Sequence, residues 1–489
     1  MPAPFTPLWI NGQPRPSSTN ETFEVRNPYT HELVGTAASA SSQDCKDAVD
    51  AAAKAFVTWE NTPIPQRREV LLKAADALAS DKFKKAVIDA GKQETATIDL
   101  WVNANWAATV QALRTAAGFV NELKGETFVS GAVPGAQVFV QRRAIGVIFS
   151  IAPWNVPLNL SVRAVATPLI CGNTVVLKSS EFSPRSQAIV AEIFQEAGLP
   201  AGVLNFINMS RESAPGLTAE IIANPHVRKI NFTGSDRVGK IIAAEAAKYL
   251  KPCVFELGGK APAVVLNDAD IDEAARAISF GAMLHSGQVC MSTERVIVQK
   301  GAAQALKDTV ASYCKTLKAG DPTTDSTAKL GALFTEGSAE NVIKLVKEAK
   351  EAGADVFLGD FKREGSVVQP HLISGVKPGM RAWDQESFGP VIVFAEVDTA
   401  DEAVELANSS EYTLVSSVWT KDIYTAFDVA ARIRAGYSNI NGTTMHVEPL
   451  ASHMGLGGAT GYGRFDIDAF THKRTVVLHP AHRKYPLVG

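Results

Sequence analysis

From Arg143 onward the chain alternates short β-rich runs with helical segments, in the order IGVIFSI, SVRAVATPLI, NTVVLK, PRSQAIVAEIFQEAG, VLNFIN, KINFTG and DRVGKIIAAEAAKYL. A strand that reaches its successor through a helix returns parallel to itself, so this order dictates a parallel sheet with helices on both faces. A second series follows Phe255: APAVVL, RVIVQ, helical stretches around 302–318 and 338–352, then VIVFAEV, VSSVWT and YSNIN. It predicts a second α/β lobe. Upstream, Asp44 to about Val120 is alanine-rich with helical periodicity, as in DAVDAAAKAFVTW and REVLLKAADALA, and predicts a group of helices. A chain of 489 residues exceeds one ordinary domain, and roughly two to four lobes are expected. Between the helices and the first sheet, TFVSGAVPGAQVFVQRRA reads as an extended hairpin with which the C-terminal run RTVVLHP can pair. Exposed edges of that kind need a partner, here another subunit.

Lysine and arginine total 48 against 51 aspartates and glutamates. No strong field then favours nucleic acid or an anionic membrane, and a small neutral or weakly charged partner fits better. Five cysteines (Cys45, Cys171, Cys253, Cys290 and Cys314) are scattered with no CxxC or other metal-ligand spacing, which argues against disulfides and zinc. The N-terminal MPAPFTPLWINGQPRPSS lacks a basic start before an apolar core, no run approaches the roughly 18 apolar residues of a membrane span, and KYPLVG is no address signal. A soluble, cytoplasmic protein without a metal is expected.

Several groups invite chemistry. In KINFTGSDRVGK, Gly234 and Ser235 fall between a strand and a helix, where free backbone N–H groups and the positive dipole end can hold a phosphate, although an N-capped βα turn has the same pattern. In TVVLKSSEFSP, Lys178 and Glu181 end another strand and can meet ribose hydroxyls, or form a surface ion pair. Asn155 lies between two prolines in SIAPWNVPLN, as a turn residue or as a rigid amide aimed at a developing oxyanion. Glu256 in PCVFELGGK sits in apolar surroundings that disfavour its charge and prepare it for base work, unless it caps the glycine N–H groups. Cys290 in GAMLHSGQVCMSTERVIV is either a small buried hydrophobe, as the other four cysteines are read, or a nucleophile needing activation.

The segments PWNVPLN, KSSE, FTGS, FELGGKAP, SGQVC, ESFGP and GYGRF, in this order and at these separations, resemble the aldehyde dehydrogenase superfamily along nearly the whole chain. The resemblance implies an α/β fold with a Rossmann-type dinucleotide-binding lobe (1–125 and 145–257), an α/β catalytic lobe (258–445) and a β-arm (126–144 and 470–489) that extends onto another subunit of a homodimer or homotetramer. It implies Cys290 as nucleophile, Glu256 as general base, and Asn155 with the Cys290 backbone N–H as the oxyanion site. Lys178 and Glu181 would meet the adenosine ribose, Gly234 and Ser235 the pyrophosphate, and Glu386 and Phe388 the nicotinamide side. Ile151, Trp154 and Leu257 complete the implied cofactor contacts. The implied cofactor is NAD, with NADP possible. An aldehyde would be oxidised to its acid through a cysteine thioester.

Where the family commonly has asparagine, five residues before the nucleophile, this chain has His285, read as packing ahead of tuning the thiol. The run EPLASHMGLGGATGYGRF is longer than the family's usual glycine-rich stretch, which implies an unusual substrate entrance. CMSTERVIV resembles the branch that oxidises aromatic aldehydes, including salicylaldehyde, vanillin and benzaldehyde. Arg163 then faces the aldehyde tunnel, where it either meets a ring hydroxyl or pairs with a carboxylate of the wall. Trp101, Val289 and Met291 are wall candidates, and Val156 leaves room for a ring. The rival readings are a semialdehyde or general aliphatic aldehyde dehydrogenase, a CoA-acylating enzyme, and a non-catalytic protein that kept the fold.

Overall fold

The computed structural model describes residues 4–446, 448, 455–485 and 487–488. Its first seven-stranded sheet runs Cys253–Glu256, Val227–Thr233, Val147–Ile151, Thr174–Lys178, Leu204–Ile207, Leu8–Ile10 and Gln13–Arg15. The strands from Val147 to Glu256 pair in parallel, whereas Leu8–Ile10 adds antiparallel to the edge. Period-two alternation feeds both faces. Val147, Phe149 and Ile151 enter a core with Ala48, Val49 and Ala52 of the helix Ser42–Trp59. Ile148, Val175 and Leu177 enter another with Val162 and Ile189 of the helices Pro157–Ile170 and Pro184–Glu196. Each of these two helices opens with proline at its first position, where the missing N–H costs nothing.

Strand order explains where a ligand can sit. From Val147–Ile151 the chain steps to Thr174–Lys178 and on to Leu204–Ile207, then returns to the other side of its starting strand with Val227–Thr233. The loops leaving Val147–Ile151 and Val227–Thr233 therefore diverge and open a crevice at the carboxyl edge.

A second seven-stranded sheet runs Asp355–Leu358, His371–Ser374, Val391–Val397, Thr293–Gln299, Ala261–Val265, Val415–Trp419 and Tyr437–Ile440, parallel apart from the antiparallel edge strand Asp355–Leu358. The helical stretches expected around 302–318 and 338–352 form as Lys300–Lys315 and Glu336–Glu351, the second started by the Thr335 side chain accepting from Ser338 N–H. His371–Ser374 went unread in the sequence because a proline precedes so short a run. In a separate sheet, Gln137–Ala144 lies antiparallel between Glu126–Val129 and Thr471–Leu478, and the edge strand leaves Phe128 and Val129 exposed. Among the described residues no helix is long and apolar enough to cross a membrane.

Candidate active site

Three of the sequence-chosen residues converge beyond the first sheet's carboxyl edge. Cys290 follows a tight turn, Leu284–Gly287, in which His285 and Ser286 take left-handed φ of 53° and 56°. The Gly258–Gly259 pair lets this turn approach: a Cβ on Gly259 would stand 2.0 Å from the Cys290 carbonyl oxygen. One on Gly258 would meet Glu386 Oε2 at 2.6 Å. Asn155 leaves the switch-point strand and donates Nδ2–H to the Gln288 carbonyl at 3.0 Å, two residues from the cysteine. Gln288 is a strut that sequence reading missed. It donates to the His285 and Ala332 carbonyls and accepts from Phe334 N–H, so the turn is tied to the following lobe.

Glu256 ends the strand Cys253–Glu256 and is buried. It does not cap the glycine pair; Gly259 N–H donates instead to Glu386 Oε1 at 2.9 Å. Glu256 Oε2 lies 2.8 Å from Arg163 of the helix Pro157–Ile170. Its Oε1 is buried with no hydrogen-bond partner among the described residues. Burial raises the Glu256 carboxyl above the ordinary range, and Arg163 opposes that rise. The second of the two roles open to Arg163, pairing with a carboxylate of the wall, is therefore present in the structure. The same guanidinium donates to Thr233 Oγ1 at 3.2 Å and stacks 4.4 Å above the Phe465 ring, a phenylalanine supplied by the GYGRF run. Burial, then the charges of Glu256 and Glu386, push the Cys290 thiol up to about 12, so at neutral pH the sulfur holds its proton.

An aromatic wall adjoins this group. Trp101 donates Nε1–H to the Asn155 carbonyl at 3.4 Å and stacks on His285 with ring centroids 5.6 Å apart. Burial lowers the His285 imidazole to about 3, so it is neutral packing at physiological pH. Val289 and Val156 are buried, and Met291 is half-buried against Ala261, Leu414 and Val415. Of the long run before GYGRF, residues 449–454 lie outside the described residues.

The remaining residues follow the strand ends. Ile151 and Lys178 are register partners, as are Thr233 and Glu256. Lys178 is buried and its ammonium donates to the Ser179 carbonyl at 2.8 Å, so it forms no surface ion pair with the half-buried Glu181. Ser235 caps the helix Asp236–Ala247, accepting from Val238 N–H. Gly234 N–H donates to the Glu256 carbonyl, and Leu257 packs on Gly239 of that helix. Trp154 stacks on Phe334 at 4.1 Å and meets the Phe388 ring edge-on at 5.9 Å. Burial and the neighbouring Glu294 raise Glu386 to about 8. Glu294 itself pairs with buried Lys260 and accepts from Ser387 N–H. This donor set suits a dinucleotide. The buried Lys178 ammonium has donors to spare beside the Glu181 carboxylate, a twelve-residue helix opens at Ser235, and apolar Ile151 and Leu257 lie between them.

The aldehyde dehydrogenase family profile matches residues 15–477. A vanillin dehydrogenase from Pseudomonas fluorescens is 41% identical over 489 residues, covering 98% of this chain and 99% of its own. A salicylaldehyde dehydrogenase from Pseudomonas putida is 40% identical over 485 residues, with the same coverage. A crystal structure of a salicylaldehyde dehydrogenase from Pseudomonas putida complexed with salicylaldehyde superposes with a TM-score of 0.95 at 39% identity, covering 99% of this chain and 100% of that one. With a family match across most of its length and relatives spanning it nearly end to end, the chain belongs to the aldehyde dehydrogenase family of nicotinamide-dependent oxidoreductases.

Proposed function

We propose that this enzyme oxidises hydroxylated benzaldehydes, salicylaldehyde ahead of vanillin, to their carboxylates with NAD. The observation that carries the reading is the meeting of Cys290, the Asn155 amide and buried Glu256 beside a wall of Trp101 and neutral His285, with one partly open cation, Arg163, at its edge. The relatives at about 40% identity, named for vanillin and salicylaldehyde, favour the same substrates.

Because the resting thiol is protonated, its proton must leave as sulfur bonds to the aldehyde carbon, and Glu256, directly or through water, is placed to receive it. The new oxyanion is met by the second N–H of the Asn155 amide, whose first is spent on Gln288, and by the Cys290 backbone N–H. A bound nicotinamide supplies the acceptor for the hydride, leaving a thioester on Cys290. Glu256 then takes a proton from water as that water attacks the thioester, and the acid departs.

Lys178, Glu181, Gly234, Ser235, Ile151, Trp154 and Leu257 would hold the cofactor on the adenosine and pyrophosphate side, and Glu386 and Phe388 on the nicotinamide side. The Glu181 carboxylate favours NAD by repelling a 2′-phosphate. Arg163 would hydrogen-bond the ring hydroxyl. In this reading 1–125 and 145–257 form the cofactor domain, 258–445 the catalytic domain, and 126–144 with 470–489 an arm whose exposed edge pairs with another subunit of a cytoplasmic homodimer or homotetramer.

The test is steady-state formation of reduced nicotinamide with salicylaldehyde, vanillin, benzaldehyde, succinate semialdehyde and acetaldehyde, with Cys290→Ala as control. Hydroxybenzaldehydes are expected to exceed the aliphatic substrates at least tenfold in kcat/KM, a gap of about 1.4 kcal/mol. Equal or better aliphatic turnover would refute the aromatic assignment. A strong NADP preference would overturn the choice of NAD.

A further inference from the structure

The arginine at the edge of the pocket reaches the base before it reaches any substrate. Arg163 places one nitrogen between two acceptors on adjacent strand ends, Glu256 Oε2 at 2.8 Å and Thr233 Oγ1 at 3.2 Å. Its guanidinium plane is fixed on Phe465, and its Nε is buried with no hydrogen-bond partner among the described residues. The glutamate therefore has one oxygen tethered and one buried and bare. A buried carboxylate with nothing opposite it would take up a proton and stop acting as a base, whereas an opposite charge at hydrogen-bond distance keeps it ionised.

We propose that Arg163 is a positioning residue for the base: it tethers Glu256 by one oxygen, leaves the other for water, and keeps the carboxylate ionised through the working pH range. The elements packed around the glutamate contribute few other charges. Among the described residues, the ionisable groups coupled to it besides Arg163 are Cys290 on the turn and Tyr437 on the strand Tyr437–Ile440. Both are neutral at pH 7 with their acidities weakened by burial, so neither replaces the arginine. A ring hydroxyl that binds Arg163 must then share it with Glu256. An ionised phenol would loosen the tether, and a neutral one would leave it in place.

The proposal rests on the reading of Glu256 as the water-activating base, and the experiment separates the two. Hydrolysis of p-nitrophenyl acetate without nicotinamide uses the same thioester step. The Cys290 sulfur displaces p-nitrophenolate, its proton passing to Glu256 or water. Water then adds to the acetyl thioester, gives a proton to Glu256, and acetate leaves as the thiol is restored. Steady-state hydrolysis is measured from pH 5 to 9 for the wild type, Arg163→Met, Arg163→Gln, Arg163→Lys and Glu256→Gln, each first shown to be folded by thermal denaturation. Two neutral replacements are made so that one misfolded variant does not end the test.

In the neutral variants the acidic limb of the profile is expected to move up by about one pH unit or more, the ordinary effect of removing an opposite charge from a carboxylate. Activity at pH 6 then falls about tenfold while the alkaline plateau changes by less than about threefold, and Arg163→Lys restores at least half of the shift. An unmoved limb with a uniform fall at every pH would make Arg163 a packing residue on Phe465 and overturn the proposal. If Glu256→Gln is slow and the limb is unmoved in the neutral Arg163 variants, this inference alone fails. If Glu256→Gln hydrolyses the ester at the wild-type rate, the base reading falls and this inference with it.

Discussion

Glu256 and Glu386 are both buried carboxylates whose charges reach the Cys290 thiol, yet their surroundings prepare them for different work. Glu256 stands across from a cation and keeps one oxygen bare. Glu386 has no such cation at contact distance among the described residues: it accepts a peptide N–H from Gly259, and nearby Lys260 is committed to Glu294. With Glu294 adding a second negative charge, Glu386 holds its proton up to about pH 8. At neutral pH one carboxyl is thus a base with an oxygen to offer, and the other a largely neutral hydrogen-bonding group set by the glycine pair. The difference comes from the partner, since burial is common to both.

Glutamine at the two positions should break this symmetry most clearly. Glu256→Gln removes the proton acceptor for thioester hydrolysis, and kcat is expected to fall by about 10²- to 10⁴-fold. A rapid first turnover of reduced nicotinamide at one equivalent per subunit should survive, visible in stopped-flow absorbance. Glu386→Gln keeps a neutral hydrogen-bonding group where the wild type already has one, so ester hydrolysis without nicotinamide should stay within about threefold. Equal losses in the two variants would erase the distinction. Between these extremes, Asn155→Ala removes the only side-chain donor assigned to the oxyanion, and a fall of about 10²- to 10³-fold is expected in both the nicotinamide and ester reactions. Hydride and acyl chemistry should suffer together, unlike the split expected for Glu256→Gln.

The pairing that separates the two glutamates was the part least legible in the sequence. Strand and helix alternation from Arg143 showed the parallel architecture, because apolar runs such as VIFSI and TVVLK report burial on both faces directly. The short motifs named Cys290, Glu256 and Asn155. What they could not give was distance. Arg163 is 93 residues from Glu256, and nothing in RAVATPLI distinguishes a guanidinium directed at a substrate from one directed at the next strand's last residue. Gln288 and Phe465 lay within quoted motifs, SGQVC and GYGRF, but their work as strut and stacking plate exists only once the lobes are packed. The N-terminal strands Thr22–Arg26 and Leu33–Ala38 carry too few apolar residues to announce themselves before their neighbours are known.

The same contrast has a stability signature. A carboxyl whose folded-state value is raised stabilises the fold fully below its unfolded value near 4.5, and that contribution is lost as pH rises through the folded value. For Glu386 the loss spans roughly pH 4.5 to 8. Glu94, buried under the first turn of the helix Pro184–Glu196 and raised to about 7 by burial, adds a loss of the same sign over a narrower range. Melting temperature should therefore decline more steeply between pH 5 and 8 in the wild type than in Glu386→Gln, with the two curves separating as pH rises. A difference of a few degrees at pH 8 that vanishes at pH 5 is expected in differential scanning fluorimetry. Curves that converge toward pH 8 would mean that Glu386 is ionised in the folded protein and that its resemblance to Glu256 runs deeper.

The smallest effect belongs to His285, and it sharpens the comparison by being small. A titrating histidine five residues before the nucleophile would be a rival source for any acidic limb in the activity profile. Burial against Trp101 holds the imidazole neutral above about pH 3, so between pH 5 and 9 it has no charge to lose. Its backbone, at φ 53°, also favours the replacement that tests this, because asparagine is among the few side chains that accept the left-handed region readily. His285→Asn should keep kcat within about threefold and leave the acidic limb where it was, with a modest loss of stability, on the order of 1 kcal/mol, from the lost stacking on Trp101. If the limb moves in this variant while Arg163→Met leaves it in place, the proton that matters is on the imidazole side of the pocket, and Glu256 is the buffered partner of the two carboxylates.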